Sequence, residues 1–157
     1  MEQEMASVVR FVCDAADEAR PGGVVPYYYE VPQDFSMPCV YFPAMDVIAR
    51  GGTLNSFQLE YVWKIEFFDV TAQDAGALAL AVLQKARSKR NLIVLLSQDG
   101  SQTEEFLRLK DPAIKRLKGG TAQLILKWNS FREFAGQDHE KAGRFFADIS
   151  QKGSDAG

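Results

Sequence analysis

The segment that most constrains the fold is residues 54–69, where apolar side chains occupy alternate positions. The apolar residues on one side of this alternation are Phe57, Leu59, Tyr61, Trp63, Ile65 and Phe67. Period-two alternation of this kind is typical of a β-strand that packs one face against a core. At ~3.3 Å per residue the alternating stretch extends for ~40 Å, which is longer than a usual strand. We therefore expect a long central strand that overhangs its own domain and needs a partner there.

The rest of the chain predicts helices and short strands around this long strand. Apolar residues recur every three or four positions, as in amphipathic helices, in three segments. The first is residues 3–19 and the last is residues 138–150. The second begins with the capping sequence Thr71-Ala72-Gln73-Asp74 and continues to about Arg90. Strands are expected over residues 24–31, 38–43, 92–96, 105–110, 113–118 and 121–131, with 92–96 buried on both faces and 44–53 as a loop. This order predicts an α+β fold: a mostly antiparallel β-sheet with a long central strand, flanked by two main helices plus a C-terminal helix.

The length of the chain fits one domain. It has 157 residues, of which 46% are hydrophobic and 25% are charged, as in globular proteins. We expect a single domain over residues 1–150 and a flexible C-terminal tail over 151–157. The acidic start lacks the features of a signal peptide, and no apolar run approaches the ~20 residues of a membrane span. The sequence therefore predicts a protein kept in the cytoplasm, with no membrane partner.

The sequence contains no pattern of a catalytic or cofactor site. His139 is the one histidine, and its neighbours Asp138 and Glu140 would fan out around a helix rather than converge on a metal. The phosphate-binding motifs GxxxxGK[ST] and GxGxxG are absent. Cys13 and Cys39 lack metal-ligand or redox spacing, so we expect inert buried thiols in a reducing compartment. We predict a protein that is not an enzyme and has no catalytic residues, no metal site and no cofactor.

Charge is distributed unevenly along the chain. Residues 1–84 hold 4 basic against 12 acidic residues, whereas residues 85–118 hold 9 against 4. The basic residues of the second block are Lys85, Arg87, Lys89, Arg90, Arg108, Lys110, Lys115, Arg116 and Lys118. They form a candidate interaction surface for nucleic acid or for an acidic protein face, or else a solvated surface. Because residues 1–84 supply the opposite charge, a contact between copies of the chain is the favoured interpretation.

A cluster of aromatic residues lies near the start of the predicted sheet. Its members are Tyr27, Tyr28, Tyr29, Tyr41 and Phe42. Such a cluster is typical of a core or of a stacking platform for bases. Since alternate residues of a strand face opposite sides, we expect most of these rings in the core and one or two exposed at an interface.

From about Val24 to Phe134 the chain resembles bacteriophage tail-terminator, or tail-completion, proteins. The resemblance lies in residues 25–43, in the long strand, helix and apolar strand of 58–96, and in residues 107–115 with the hairpin that ends at Phe131. It implies a small α+β subunit that closes into a ring, commonly a hexamer. The ring would cap the tail tube, stop its polymerisation and offer a docking surface for the head.

The resemblance also implies partners and a location. The partners would be further copies of the chain, the tail tube protein and a head–tail connector protein, with the DNA passing through the ring as an open question. The location would be the head-proximal end of the virion tail, after assembly in the bacterial cytoplasm. Two alternatives share the same sequence features: a head–tail connector or tube-end adaptor, and a small nucleic-acid-binding module that uses the basic segment 85–118.

Overall fold

A computed structural model describes residues 2–54, 56–117 and 119–133. The described residues form two helices, α1 (Glu2–Ala19) and α2 (Ala72–Ser88). They also form eight strands: β1 (Val25–Tyr28), β2 (Cys39–Phe42), β3 (Asp46–Arg50), β4 (Ser56–Phe68), β5 (Leu92–Leu96), β6 (Gln102–Arg108), β7 (Ala113–Arg116) and β8 (Thr121–Glu133). The predicted α+β class is confirmed. No helix in this part of the chain is long and apolar enough to cross a membrane.

Both helices begin and end where local chemistry predicts. The Thr71 hydroxyl accepts a hydrogen bond of 3.0 Å from the Asp74 backbone N–H, which is the N-cap predicted for α2. Each helix packs one apolar stripe against the rest of the protein, with Val8 and Val12 of α1 and Ala79 of α2 fully or almost fully buried.

The main sheet has the order β1-β2-β4-β8-β7, with β3 also paired to β4. β1 runs parallel to β2, whereas β2 pairs antiparallel with β4, and β7 pairs antiparallel with β8. β5 and β6 form a separate antiparallel pair. The long strand is therefore central, as predicted, and among the described strands β1 and β7 are the two ends of the ordered path.

Two details of the predicted strands are wrong. Residues 44–53 are not simply a loop, because β3 pairs with β4. β5 is not buried on both faces, because only Ile93 and Leu96 are buried while its other residues are half-exposed. The physical reason is that β5 belongs to a two-stranded pair, so one face has little to pack against.

The chain forms two compact units. The larger comprises residues up to Asp46 and Val62–Trp128, and its core is built on aromatic rings of which Trp63 and Trp128 are the largest. The Trp63 and Trp128 ring centroids lie 6.4 Å apart, and the Trp63 indole N–H donates to the Pro43 carbonyl at 2.7 Å. The described residues of the smaller unit lie within Val47–Tyr61 and Asn129–Glu133. The β4 and β8 strands each contribute residues to both units.

Three predictions fall outside the described residues. They are the C-terminal helix over 138–150 with His139, the flexible tail over 151–157, and the position of Lys118. The single domain over residues 1–150 therefore stays a prediction.

Candidate interaction surfaces

The structure places the predicted basic residues at several different positions of the larger unit. Lys85 and Arg87 lie in the last turns of α2, Lys89 and Arg90 follow its end, Arg108 ends β6, Lys110 follows β6, and Lys115 and Arg116 belong to β7. Lys110 is half-buried, and its backbone N–H donates to the Lys127 carbonyl at 2.8 Å. Lys85 binds Glu18 of α1, with its Nζ 3.2 Å from Oε1.

These basic residues do not form one continuous surface. The Arg116 guanidinium lies beside the first half of α2, with Nη2 3.7 Å from the point that a Cβ on Gly76 would occupy. Since an α-helix rises 1.5 Å per residue, that point is roughly 20 Å along the axis from the end of α2. Lys115 points to the opposite face of the sheet from Arg116, because neighbouring strand residues alternate. Both residues are therefore separate from the group at the end of α2.

Four exposed residues do lie together, and we call them the basic end: Arg87, Lys89, Arg90 and Arg108. Two hydrogen bonds close α2 here: the Arg90 N–H donates to the Arg87 carbonyl at 2.9 Å, and the Asn91 N–H donates to the Ala86 carbonyl at 2.7 Å. This pair of bonds is a Schellman motif. Arg108 is adjacent because its Cα pairs with that of Leu92 across β5 and β6.

The Schellman motif places Arg90 in the left-handed region, with a φ of 59°. Glycine usually occupies this position because a side chain there costs free energy. Asn91 follows with a φ of 61°, but asparagine tolerates the conformation better. The arginine at position 90 is thus presented to solvent at the expense of local stability.

A cleft of about 400 Å³ opens next to the basic end. One wall is a stripe of α1, and the other is the β5–β6 pair, with Lys85 of α2 and Lys89 just after α2 also in the lining. Its apolar lining includes Phe11, Leu92, Val94 and Phe106. Phe106 is 55% exposed, which is high for a large aromatic residue. The cleft therefore combines an open apolar surface with charged side chains of both signs, because Asp14 and Glu18 of α1 also line it and the basic end lies next to it.

A second exposed surface, which we call the tyrosine edge, is formed by β1 and the residues that follow it. It consists of Val25, Tyr28, Tyr29, Glu30, Asp34 and Met37, all of them exposed. β1 is the end of the ordered strand path, so this surface is at a side of the sheet. Tyr28 is 50% exposed, and its ring stacks on the buried Phe42 with centroids 5.5 Å apart. An aromatic ring that is packed on one face and exposed to solvent on the other is a typical anchor residue of a protein–protein interface.

Tyr29 is the most exposed aromatic residue of this edge and has an unusual backbone. Its φ is 65°, in the left-handed region that bulky residues rarely adopt. Two hydrogen bonds hold it there: its N–H donates to the Phe42 carbonyl at 2.9 Å, and its own carbonyl accepts from the Tyr41 hydroxyl at 2.7 Å. Tyr29 is 64% exposed in this conformation. The prediction that one or two rings of this cluster are exposed describes Tyr28 and Tyr29.

The two cysteines have the properties of unreactive thiols. Burial, and then the nearby Asp17 and Asp14, raise the pKa of Cys13 to about 11. Burial, and then Asp69, raise the pKa of Cys39 to about 11. Cys39 is fully buried, whereas Cys13 is only half-buried, so the prediction of a buried thiol is wrong in degree for Cys13. Among the residues that the structure describes, no cluster of side chains suited to a metal ion is present.

Sequence reasoning found the basic end as part of a longer list, but it missed the cleft. The cleft arises only when α1 packs beside β5, where the Leu96 N–H donates to the Ser7 hydroxyl at 2.9 Å. The two elements are far apart in sequence. A usable signal was Phe106, which lies on the same face of β6 as the polar residues Gln102 and Glu104, opposite the buried Leu107.

Comparison with known proteins identifies relatives of the chain. No protein-family model matches it. The uncharacterized protein YqbJ of Bacillus subtilis (strain 168) is 28% identical over 145 residues, which are 92% of this chain and 95% of YqbJ. The phage-like element PBSX protein XkdJ of the same strain is 28% identical over 104 residues, or 66% of this chain and 71% of XkdJ. The predicted relationship to phage proteins is confirmed by these relatives.

Among solved structures, a chain of the virion of a native gene transfer agent particle superposes with a TM-score of 0.44. The sequence identity is 13%, over 78% of this chain and 92% of that chain.

Proposed function

We propose that this relative of a phage-like element protein is a structural subunit of a phage-derived virion, and that it acts as a tail terminator. Copies of the chain form a closed ring, a hexamer by analogy with the family that the sequence resembles. The ring caps the tail tube, ends its polymerisation and provides the surface on which the head docks. The subunit assembles in the bacterial cytoplasm, binds the tube protein and a connector protein, and performs no catalysis.

One observation supports this proposal above the others. The larger unit has an exposed aromatic surface with acidic residues on one flank of α1, and a cleft with basic residues on the other. Tyr28 of the aromatic surface lies near Cys13, whereas Phe11 and Ala15 line the cleft, so the two surfaces adjoin different faces of α1. A subunit with two different, complementary surfaces on different sides makes head-to-tail contacts, and such contacts give a ring when the rotation between neighbours closes.

The proposal is tested by removing the protein during tail assembly. We expect tails of abnormal, mostly excessive length in electron micrographs, because nothing would stop addition of tube subunits. Supplying the wild-type chain from a plasmid should restore uniform tails. Tails of normal length in the absence of the protein would contradict the proposal.

The same micrographs separate the first alternative. A head–tail connector or adaptor would leave tails of uniform length that are not attached to heads. Pull-down with a tube protein and with a connector protein then shows which of the two the subunit binds.

The nucleic-acid alternative makes a different prediction. A module that uses the 85–118 segment should bind DNA in a salt-sensitive manner and lose binding when Lys89, Arg90, Lys115 and Arg116 are changed to Glu. The separation of Arg116 and Lys115 from the basic end disfavours one continuous DNA-binding surface. Binding at low salt that depends equally on all four residues would favour this alternative over the terminator.

A further inference from the structure

We infer that the tyrosine edge of one copy docks into the cleft of the next copy, with Glu30 and Asp34 pairing with Arg90 and Arg108. This contact rests on the proposed ring and specifies its interface. The exposed rings of Tyr28 and Tyr29 would cover the apolar lining of the cleft, and the charged residues would form the rim around them.

The first support is the set of exposed charged side chains that form no ion pair within the described part of the subunit. Four acidic residues form ion pairs with basic side chains of the same chain: Asp14 with Arg10, Glu18 with Lys85, Glu60 with Arg50, and Asp69 with Arg20. Within the described part of the chain, the structure shows no ion pair for the exposed side chains of Glu30 and Asp34. The same holds for Lys89, Arg90 and Arg108 on the other surface. The exposed charges left over are acidic on the tyrosine edge and basic at the basic end, while β6 beside the cleft also carries the exposed acidic residues Glu104 and Glu105. The opposite charges of the tyrosine edge and the basic end favour a contact between the two.

The second support is independent of charge and concerns the backbone. Among the described residues with a left-handed φ, five are glycines, and Asn91 and Asp111 are of the types that tolerate this conformation. The other two are Tyr29 and Arg90. One lies on each of the two surfaces. Bulky side chains in this region persist where the surrounding structure fixes them, and such positions concentrate at functional sites.

The third support is the position of the two surfaces. Burial raises the pKa of Tyr28, and the nearby Cys13 of α1 makes a second, smaller contribution, so Tyr28 lies close to α1. Phe11 and Ala15, on a different face of the same helix, line the cleft. An element that separates the two surfaces prevents one copy from satisfying both with itself. A second copy is therefore the occupant that the geometry favours.

Charge reversal tests the pairing directly. The variant E30K/D34K reverses the tyrosine edge, and R90E/R108E reverses the basic side. The quadruple variant E30K/D34K/R90E/R108E reverses both, so its two surfaces are again opposite in charge. K64E/K115E is the control for R90E/R108E, because it makes the same change of charge at two exposed residues outside both surfaces. Sedimentation velocity and native mass spectrometry at low and high salt measure the assembly of each.

We expect each double variant to weaken self-association by at least about tenfold, because like charges would then meet across the contact. The quadruple variant and an equimolar mixture of the two double variants should recover the wild-type assembly. The control should assemble like the wild type. The inference is wrong if the quadruple variant stays as weak as the double variants, or if either double variant assembles normally. A wild-type chain that remains monomeric up to about 1 mM at low salt also overturns it.

The apolar part of the contact has its own test. Phe106→Ala should weaken assembly, whereas Leu80→Ala, which truncates another exposed apolar residue outside the cleft, should not. Circular dichroism of each variant shows that the fold is kept. Equal effects of the two changes would contradict docking in the cleft.

Failure of this contact can be told apart from failure of the proposed function. If tails are abnormal without the protein but normal with E30K/D34K, the terminator function stands and the inferred contact is wrong. If the charge reversals abolish assembly in solution while tails stay uniform without any protein, the contact stands and the terminator function is wrong.

Discussion

Replacing Arg90 with glycine should make the isolated subunit more stable. Arg90 has a φ of 59°, at the position of the Schellman motif that glycine normally fills. A left-handed conformation costs a non-glycine residue about 1–2 kcal/mol. Removing this cost is partly offset, by about 0.4–1 kcal/mol, because glycine has more conformational freedom in the unfolded chain. The net expectation is that Arg90→Gly raises the free energy of unfolding by about 0.5–1 kcal/mol.

The matched control is Arg87→Gly, three residues earlier in the last turn of α2. It removes the same side chain and the same charge, but from a helical position, where glycine costs up to about 1 kcal/mol. The two variants should therefore differ in stability by about 1.5 kcal/mol, in opposite directions from the wild type. Comparing them removes the effect of charge at the end of the helix, which both variants share.

The assay is urea unfolding followed by far-ultraviolet circular dichroism, at low protein concentration and high salt. These conditions keep the subunit monomeric, which is needed because self-association stabilises the folded state by mass action. Thermal unfolding should show Arg90→Gly a few degrees above the wild type, since 1 kcal/mol shifts the midpoint by about 2–4 °C at this chain length. An Arg90→Gly variant that is less stable than the wild type, or equal to Arg87→Gly, would refute the reasoning about backbone strain.

Three further predictions concern the cap and the thiols. Thr71→Ala should lower the free energy of unfolding by about 0.5–2 kcal/mol, measured by urea unfolding. Thr71→Ser should keep most of the stability, because the serine hydroxyl can still accept the hydrogen bond from the Asp74 N–H. Cys13 and Cys39 should react slowly with a thiol reagent at pH 8 in the folded state and quickly in urea, since their folded pKa of about 11 leaves little thiolate. Because these pKa values are raised above the unfolded value, the contribution of the two thiols to the free energy of unfolding should be complete below about pH 8.5 and fall as the pH rises towards 11. Fast labelling of both thiols in the folded protein at pH 8 would contradict the raised pKa values on which both expectations rest.

The sequence was sufficient for the elements whose signals are local. The alternation from Phe57 to Phe67 predicts β4 because a strand shows its buried face at every second residue. The N-cap at Thr71 follows equally from a hydroxyl and the backbone three residues later. Both features need only neighbouring residues, so no knowledge of the tertiary structure is required.

The features that matter for assembly depend on packing and were less accessible. The sequence places Phe106 in a strand but does not show that its ring stays 55% exposed beside α1. It shows an arginine at position 90 but not its left-handed backbone, because no glycine marks the end of α2. β3 was missed for a similar reason: all its side chains are exposed, so hydrophobic burial leaves little pattern over Asp46–Arg50.

The long strand also changes the expected kind of contact between copies. Its length suggested an overhang that pairs with a neighbouring chain, yet β2, β3 and β8 of the same chain already pair with β4. Strand exchange through β4 is therefore unnecessary. A contact made by the exposed side chains of Tyr28, Tyr29 and the charged residues around them requires no backbone rearrangement. Assembly by this route should be reversible and sensitive to salt, because the charges at its rim are exposed. Strand exchange would instead be slow and largely independent of salt, so the rate and salt dependence of dissociation distinguish the two modes.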